Sequence, residues 1–100
     1  MSRTFYSDYV KHALRFYTRY PERPEKFKSE VDKANWIACD EIFKKQSKLQ
    51  TAILIDVYSG RDTLADEVYA ASKKYNIDQN VIWDEMKDLE HAIAKRRKLI

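Results

Sequence analysis

Cys39, His12 and His91 are the residues whose types allow nucleophilic chemistry, since an imidazole can take a thiol proton and leave a reactive thiolate. Cys39 sits within an apolar pattern with Ala38 and Ile42 and has no flanking signature. It therefore reads as a core residue. Asp88 and His91 form a DxxH pair on one helical face, half of the motif that holds paired metals in helical bundles. Such a site needs further carboxylates and a second pair from other helices. No such set is evident in the sequence, and a solvated ion pair is the expectation. The chain also lacks a P-loop, a Gly-rich dinucleotide turn and paired-Cys zinc spacing. The expectation is a non-enzyme that uses no cofactor or metal.

The other chemistry open to this chain is phosphate binding. Lys11, Arg15 and Arg19 recur at steps of four, Arg23, Lys26 and Lys28 follow, and Phe16, Tyr17, Tyr20 and Phe27 are interleaved with them. Cations mixed with aromatics can hold phosphates and stack bases. The plainer expectation is a solvated face with aromatics buried behind it. A second cluster, Lys95-Arg96-Arg97-Lys98, can contact phosphates or a polymerase, or only complement a helix C-terminus.

These side chains must be carried by helices. A length of 100 residues suits one domain, and 44% hydrophobic residues supply a single core. One Gly, two Pro and helical apolar spacing predict an all-α fold of about five helices. Residues 1–46 form an N-terminal helical pair in this reading, and residues 47–100 a C-terminal three-helix unit. Tyr6, Tyr9, Val10, Ala13, Leu14 and Tyr17 predict a first helix from about Thr4 to about Arg19, with Ser7 and Asp8 as an alternative, later start. The prolines in Tyr20-Pro21-Glu22-Arg23-Pro24 break it. A second helix spans about Ser29 to Gln46 and buries Val31, Ala34, Trp36, Ala38, Ile42 and Phe43. Ser47 caps a third, with Ile53, Leu54 and Val57 inward, and Gly60 ends it as a left-handed cap.

From Leu64 to Ile100 the pattern is that of a helix-turn-helix. Thr63 can cap a helix whose first turn carries Asp66 and Glu67, which favour the positive end of its dipole. Val68, Ala71 and Tyr75 share one face. Asn76 tolerates the left-handed turn, Ile77 plugs the angle, and Asp78 caps a second helix from Gln79. Ile82, Met86, Leu89 and Ile93 form its apolar stripe. The stripe is expected to pack on the chain's own helices, with pairing in a homodimer as the alternative. Val81, Ile82 and Trp83 cannot all face one neighbour. Burial of Trp83 under an N-terminal helix is the expectation, and an exposed interaction patch is the alternative.

Ala71-Ser72-Lys73-Lys74-Tyr75-Asn76-Ile77-Asp78, followed by Ile82, resembles the helix-turn-helix of sigma-70 region 4 and of similar small phage or mobile-element regulators. Leu49 to Tyr58 resembles the helix before that motif. Ser72 and Asn76 stand where the family favours Ala and Gly. The resemblance implies a DNA-binding transcription regulator, with Gln79, Asn80, Val81, Trp83, Asp84 and Lys87 facing the major groove. Gln79, Asn80 and Lys87 would then contact bases. Lys11, Arg15, Arg19, Lys95, Arg96, Arg97 and Lys98 would contact phosphates, and RNA polymerase is an implied partner.

Charge counting runs against part of that. Between Arg61 and Ala94, Asp62, Asp66, Glu67, Asp78, Asp84, Glu85, Asp88 and Glu90 stand against only Arg61, Lys73, Lys74 and Lys87. Phosphate neutralisation dominates DNA affinity, so cations must come from elsewhere. The second reading is a protein-interaction module using Val81, Trp83 and Asp84. The net charge of +3 permits either. A single Cys and no long apolar run predict a protein of the reducing cytoplasm, outside any membrane.

Overall fold

The computed structural model describes residues 6–19, 27 and 29–100. Among them the chain forms five helices: α1 (Ser7–Arg19), α2 (Glu30–Lys44), α3 (Lys48–Ser59), α4 (Leu64–Tyr75) and α5 (Gln79–Arg96). The all-α expectation holds. Of the first helix, the described part begins at Ser7, and Thr4 and the proline-containing break lie outside the described residues.

Side-chain caps set the starts of four helices. Ser29, Ser47 and Thr63 each accept from the amide three residues on, at 3.3, 3.1 and 3.2 Å, and Asp78 accepts from the Asn80 amide at 2.7 Å. Each removes an orphan donor from a first turn. Two helices stop through left-handed residues that are not glycine, Asn76 (φ 54°) and Lys98 (φ 59°). After each, the next amide reaches back across the turn: Ile77 to the Ser72 carbonyl at 3.1 Å, and Leu99 to the Ala94 carbonyl at 2.8 Å. These are Schellman closures, and both Ile77 and Leu99 pack against the core as such closures require. Ser72 adds a bond from its hydroxyl to the Ile77 carbonyl at 2.5 Å, so the serine fastens this turn.

Gly60 does not act as expected. Its backbone is extended (φ −65°, ψ 160°), a conformation any residue adopts. The Glu67 carboxylate, the far end of a flexible side chain, folds over it where a Cβ would stand. That carboxylate accepts from the Asp62 amide at 3.0 Å.

All five helices contribute to one core. Val10, Ala13 and Leu14 of α1, Cys39 and Phe43 of α2, and Ile53, Leu54, Val57 and Tyr58 of α3 meet Val68 and Ala71 of α4 and the α5 stripe. Ile82, Met86, Leu89 and Ile93 are all buried within the monomer, so this stripe is not open to a second copy. On α2, Ala38 and Phe43 are buried as expected, whereas Val31, the second residue of the helix, is 53% exposed. No described helix is long and apolar enough to cross a membrane.

Candidate nucleic-acid interface

The αL turn at Asn76 and the Asp78 cap start α5 at a fixed angle to α4, with Ile82 as its inward anchor. At 100° per residue, anchoring Ile82 rotates its neighbours outward. Gln79, Asn80, Val81, Trp83, Asp84 and Lys87 are accordingly all exposed, as an outward-facing reading end requires. Trp83 is 38% exposed and Val81 46%. The expected burial of Trp83 is therefore corrected: α1 reaches α5 further along, at Glu90 and His91, and leaves the first turns open. Lys73 lies 5.3 Å from the ring centre of the exposed Tyr69 on α4.

Not every cation expected at phosphates is available. Lys11 donates to Glu90 Oε1 at 3.1 Å and to the Ser7 hydroxyl. The same carboxylate accepts from the Tyr58 hydroxyl at 2.6 Å through Oε2. Glu90 is only 7% exposed and ties α1, α3 and α5 together. Burial first, and then the charge of Glu90, raises the Tyr58 hydroxyl far above its usual value, so Tyr58 remains a donor. Sequence reasoning had placed Glu90 among the surface acids of the motif. Its position was legible: with Ile82, Met86, Leu89 and Ile93 it completes the i, i+4, i+7, i+8, i+11 face of a buried helix.

The stripe Lys11, Arg15, Arg19 is not one surface, because each step of four turns about 40° around a helix. Lys11 faces the core, whereas Arg15 and Arg19 line an open hollow with His12 and Phe16. Arg19 also donates to the Gly60 carbonyl at 2.7 Å. Arg23, Lys26 and Lys28 lie outside the described residues. In the tail, Arg96 pairs with Glu41 at 2.7 Å, and Arg97 donates to Asn35 Oδ1 at 2.7 Å. Asn35, 8% exposed, also bonds the Tyr9 hydroxyl through Nδ2 at 3.2 Å. Two of the four tail cations thus fasten the end of α5 to α2. Lys95 and Lys98 are exposed.

Acidic groups on α5 divide similarly. Asp84 and Asp88 are exposed, and burial together with the Asp88 charge lifts the Glu85 carboxyl above its usual range. On α3, burial would raise Asp56, yet hydrogen bonds from Tyr75 (2.6 Å) and Lys74 (2.9 Å) outweigh it and hold the carboxyl below its ordinary value. That contact braces the end of α4 against α3.

The residues considered for nucleophilic and metal chemistry have other surroundings. Cys39 is fully buried, and burial plus the neighbouring Asp40 charge pushes its thiol up to about 12. His91 stands 3.3 Å from the Tyr6 hydroxyl instead of pairing with Asp88. Among the described residues no three His, Cys, Asp or Glu side chains gather as a metal site.

Comparison with protein-family models, curated proteins and solved structures finds no match to this chain.

Proposed function

We propose that the chain is a small transcription regulator that binds duplex DNA through α4 and α5, in the manner that its resemblance to sigma region 4 implies. The observation that carries this reading is the exposure of Gln79, Asn80 and Lys87 together at the open end of α5, while the apolar stripe behind them is buried. Gln and Asn can each bond an adenine edge through two atoms, and Lys87 supplies a donor about two turns on. Lys95, about 24 Å along the helix from Gln79, and Lys98 just beyond the helix end contact phosphate, so the duplex must lie along α5. Arg96 and Arg97 serve that end as struts as much as contacts. RNA polymerase is the partner that the same resemblance suggests.

A filter-binding selection from a random-site duplex library tests the reading. The expected result is a selected site whose affinity falls with salt, by a slope of about −0.9 per phosphate contacted. Gln79→Ala and Asn80→Ala abolish the sequence preference and leave residual non-specific binding. Absence of salt-sensitive binding at low ionic strength sinks the proposal.

One observation favours a second reading, a protein-interaction module. Val81 and Trp83 are exposed beside Asp84, and aromatic anchors with few neighbouring cations suit a protein partner better than a phosphate backbone. Capture of a polymerase subunit that is lost with Trp83→Ala and Asp84→Lys supports it; capture unchanged in both variants refutes it.

A further inference from the structure

The open hollow beside the C-terminal half of α1 has a volume of about 350 Å³ and is lined by His12, Arg15, Phe16 and Arg19. That is the lower end of the size range of ligand pockets, about 300 to 1,000 Å³. Three of these side chains are nitrogen donors, and no described carboxylate lines the hollow. Arg19 is held in place by the Gly60 carbonyl at 2.7 Å, a bond that uses one of the five guanidinium N–H groups and leaves the others for a ligand. The nearby Glu67 carboxylate is turned over Gly60 and bonded to the Asp62 amide. Phe16 is braced by Phe27 at a ring separation of 5.1 Å, and Phe27 in turn meets Trp36 at 6.5 Å. A fixed aromatic wall beside two guanidinium groups matches a ligand with a phosphate at one end and a flat ring at the other.

We propose that this hollow binds a nucleotide, its phosphate held by Arg15, Arg19 and His12 and its unpaired base against Phe16. None of the lining residues belongs to α5, so the site does not depend on the duplex reading. The nucleotide is either free or part of a single strand, and the two sources share the same chemistry.

Amide chemical shifts of the full chain, followed by nuclear magnetic resonance, test it with adenosine monophosphate, adenosine, inorganic phosphate and a short single-stranded oligonucleotide as probes. Adenosine monophosphate shifts the His12, Arg15, Phe16 and Arg19 amides saturably, and adenosine does not. Arg15→Gln weakens this by about tenfold or more, the loss expected for a charge-assisted bond. Phe16→Leu weakens the nucleotide and leaves inorganic phosphate unchanged, which a general loss of fold does not produce. An oligonucleotide that binds more tightly than the mononucleotide assigns the site to a strand; one that binds no more tightly assigns it to the free nucleotide. No saturable shift at these four amides in wild type overturns the proposal. So does equal binding of phosphate and nucleotide that is indifferent to Phe16→Leu.

Discussion

The two halves of α5 share one helix and one apolar stripe, yet they meet opposite surroundings. From Gln79 to Lys87 the outward side is open to solvent, with only Ile82 and Met86 in the core. From Leu89 onward the inner face is enclosed, with Leu89, Glu90, Ile93 and Ala94 buried and Arg96 and Arg97 reaching across to α2, while His91 and Lys95 stay exposed. One half is anchored so that the other can be presented. The comparison also shows why a basic cluster cannot be read as a binding surface from its composition, because half of this one works as bracing.

The sharpest way to break this division is to truncate neighbours on the open half. Ile82→Ala is expected to cost about 3 kcal/mol in urea unfolding, through lost transfer energy and a core cavity. Val81→Ala, one residue before it, is expected to stay within about 0.5 kcal/mol, and truncation of the partly covered Trp83, one residue after it, to Ala is expected to cost less than Ile82→Ala. A large loss at Trp83 would mean that the face is covered in solution.

On the enclosed half, Glu90→Ala leaves the Tyr58 hydroxyl without its acceptor and Lys11 without its partner. Unfolding free energy is expected to fall by roughly 2 kcal/mol, the penalty for orphaning buried polar groups. Glu90→Gln retains an acceptor and should cost less. Equal stability of wild type and Glu90→Ala would show that α1 is not held through this residue.

Smaller still is the effect of releasing the tail. Arg97→Ala removes the bond to Asn35 and is expected to cost about 1 kcal/mol, whereas Lys95→Ala should be nearly neutral. Thermal midpoints of the two variants separate bracing from surface charge.

The smallest effect belongs to Asp56, which steadies the end of α4 just before the turn that aims the open half. Its folded pKa is depressed, so its contribution is present above the unfolded aspartate value near ~4 and is lost as pH falls through the lower folded value. The side chain is 39% exposed, and solvent screening limits the contribution to about 0.5 kcal/mol. Asp56→Asn should therefore flatten the acid limb of stability against pH below about pH 4 and leave neutral stability almost unchanged. An unaltered acid limb would remove Asp56 as a brace.

The helix order, the caps at Ser47, Thr63 and Asp78, the turn at Asn76 and the buried stripe of α5 were legible in the sequence because each is set by neighbours a few residues away. Short-range steric and hydrogen-bonding rules decide them. The site was legible only in part. Asn80 and Lys87 emerge on the outer face because helix geometry puts them roughly opposite Ile82, and Gln79 is exposed because it opens the helix. The separate fates of Lys11 and Arg19 and the struts at Arg96 and Arg97 were not legible. Each depends on which residue lies across a gap of tens of positions in sequence: Glu90 for Lys11, Gly60 for Arg19, Glu41 and Asn35 for the tail.

By itself, then, the sequence determined where helices begin and end and which stripe turns inward, since those follow from local torsions and period. The tertiary structure decided which charges remain in water. A charge is neutralised by whatever the packing of distant helices brings within about 3 Å of it, and no local pattern encodes that distance.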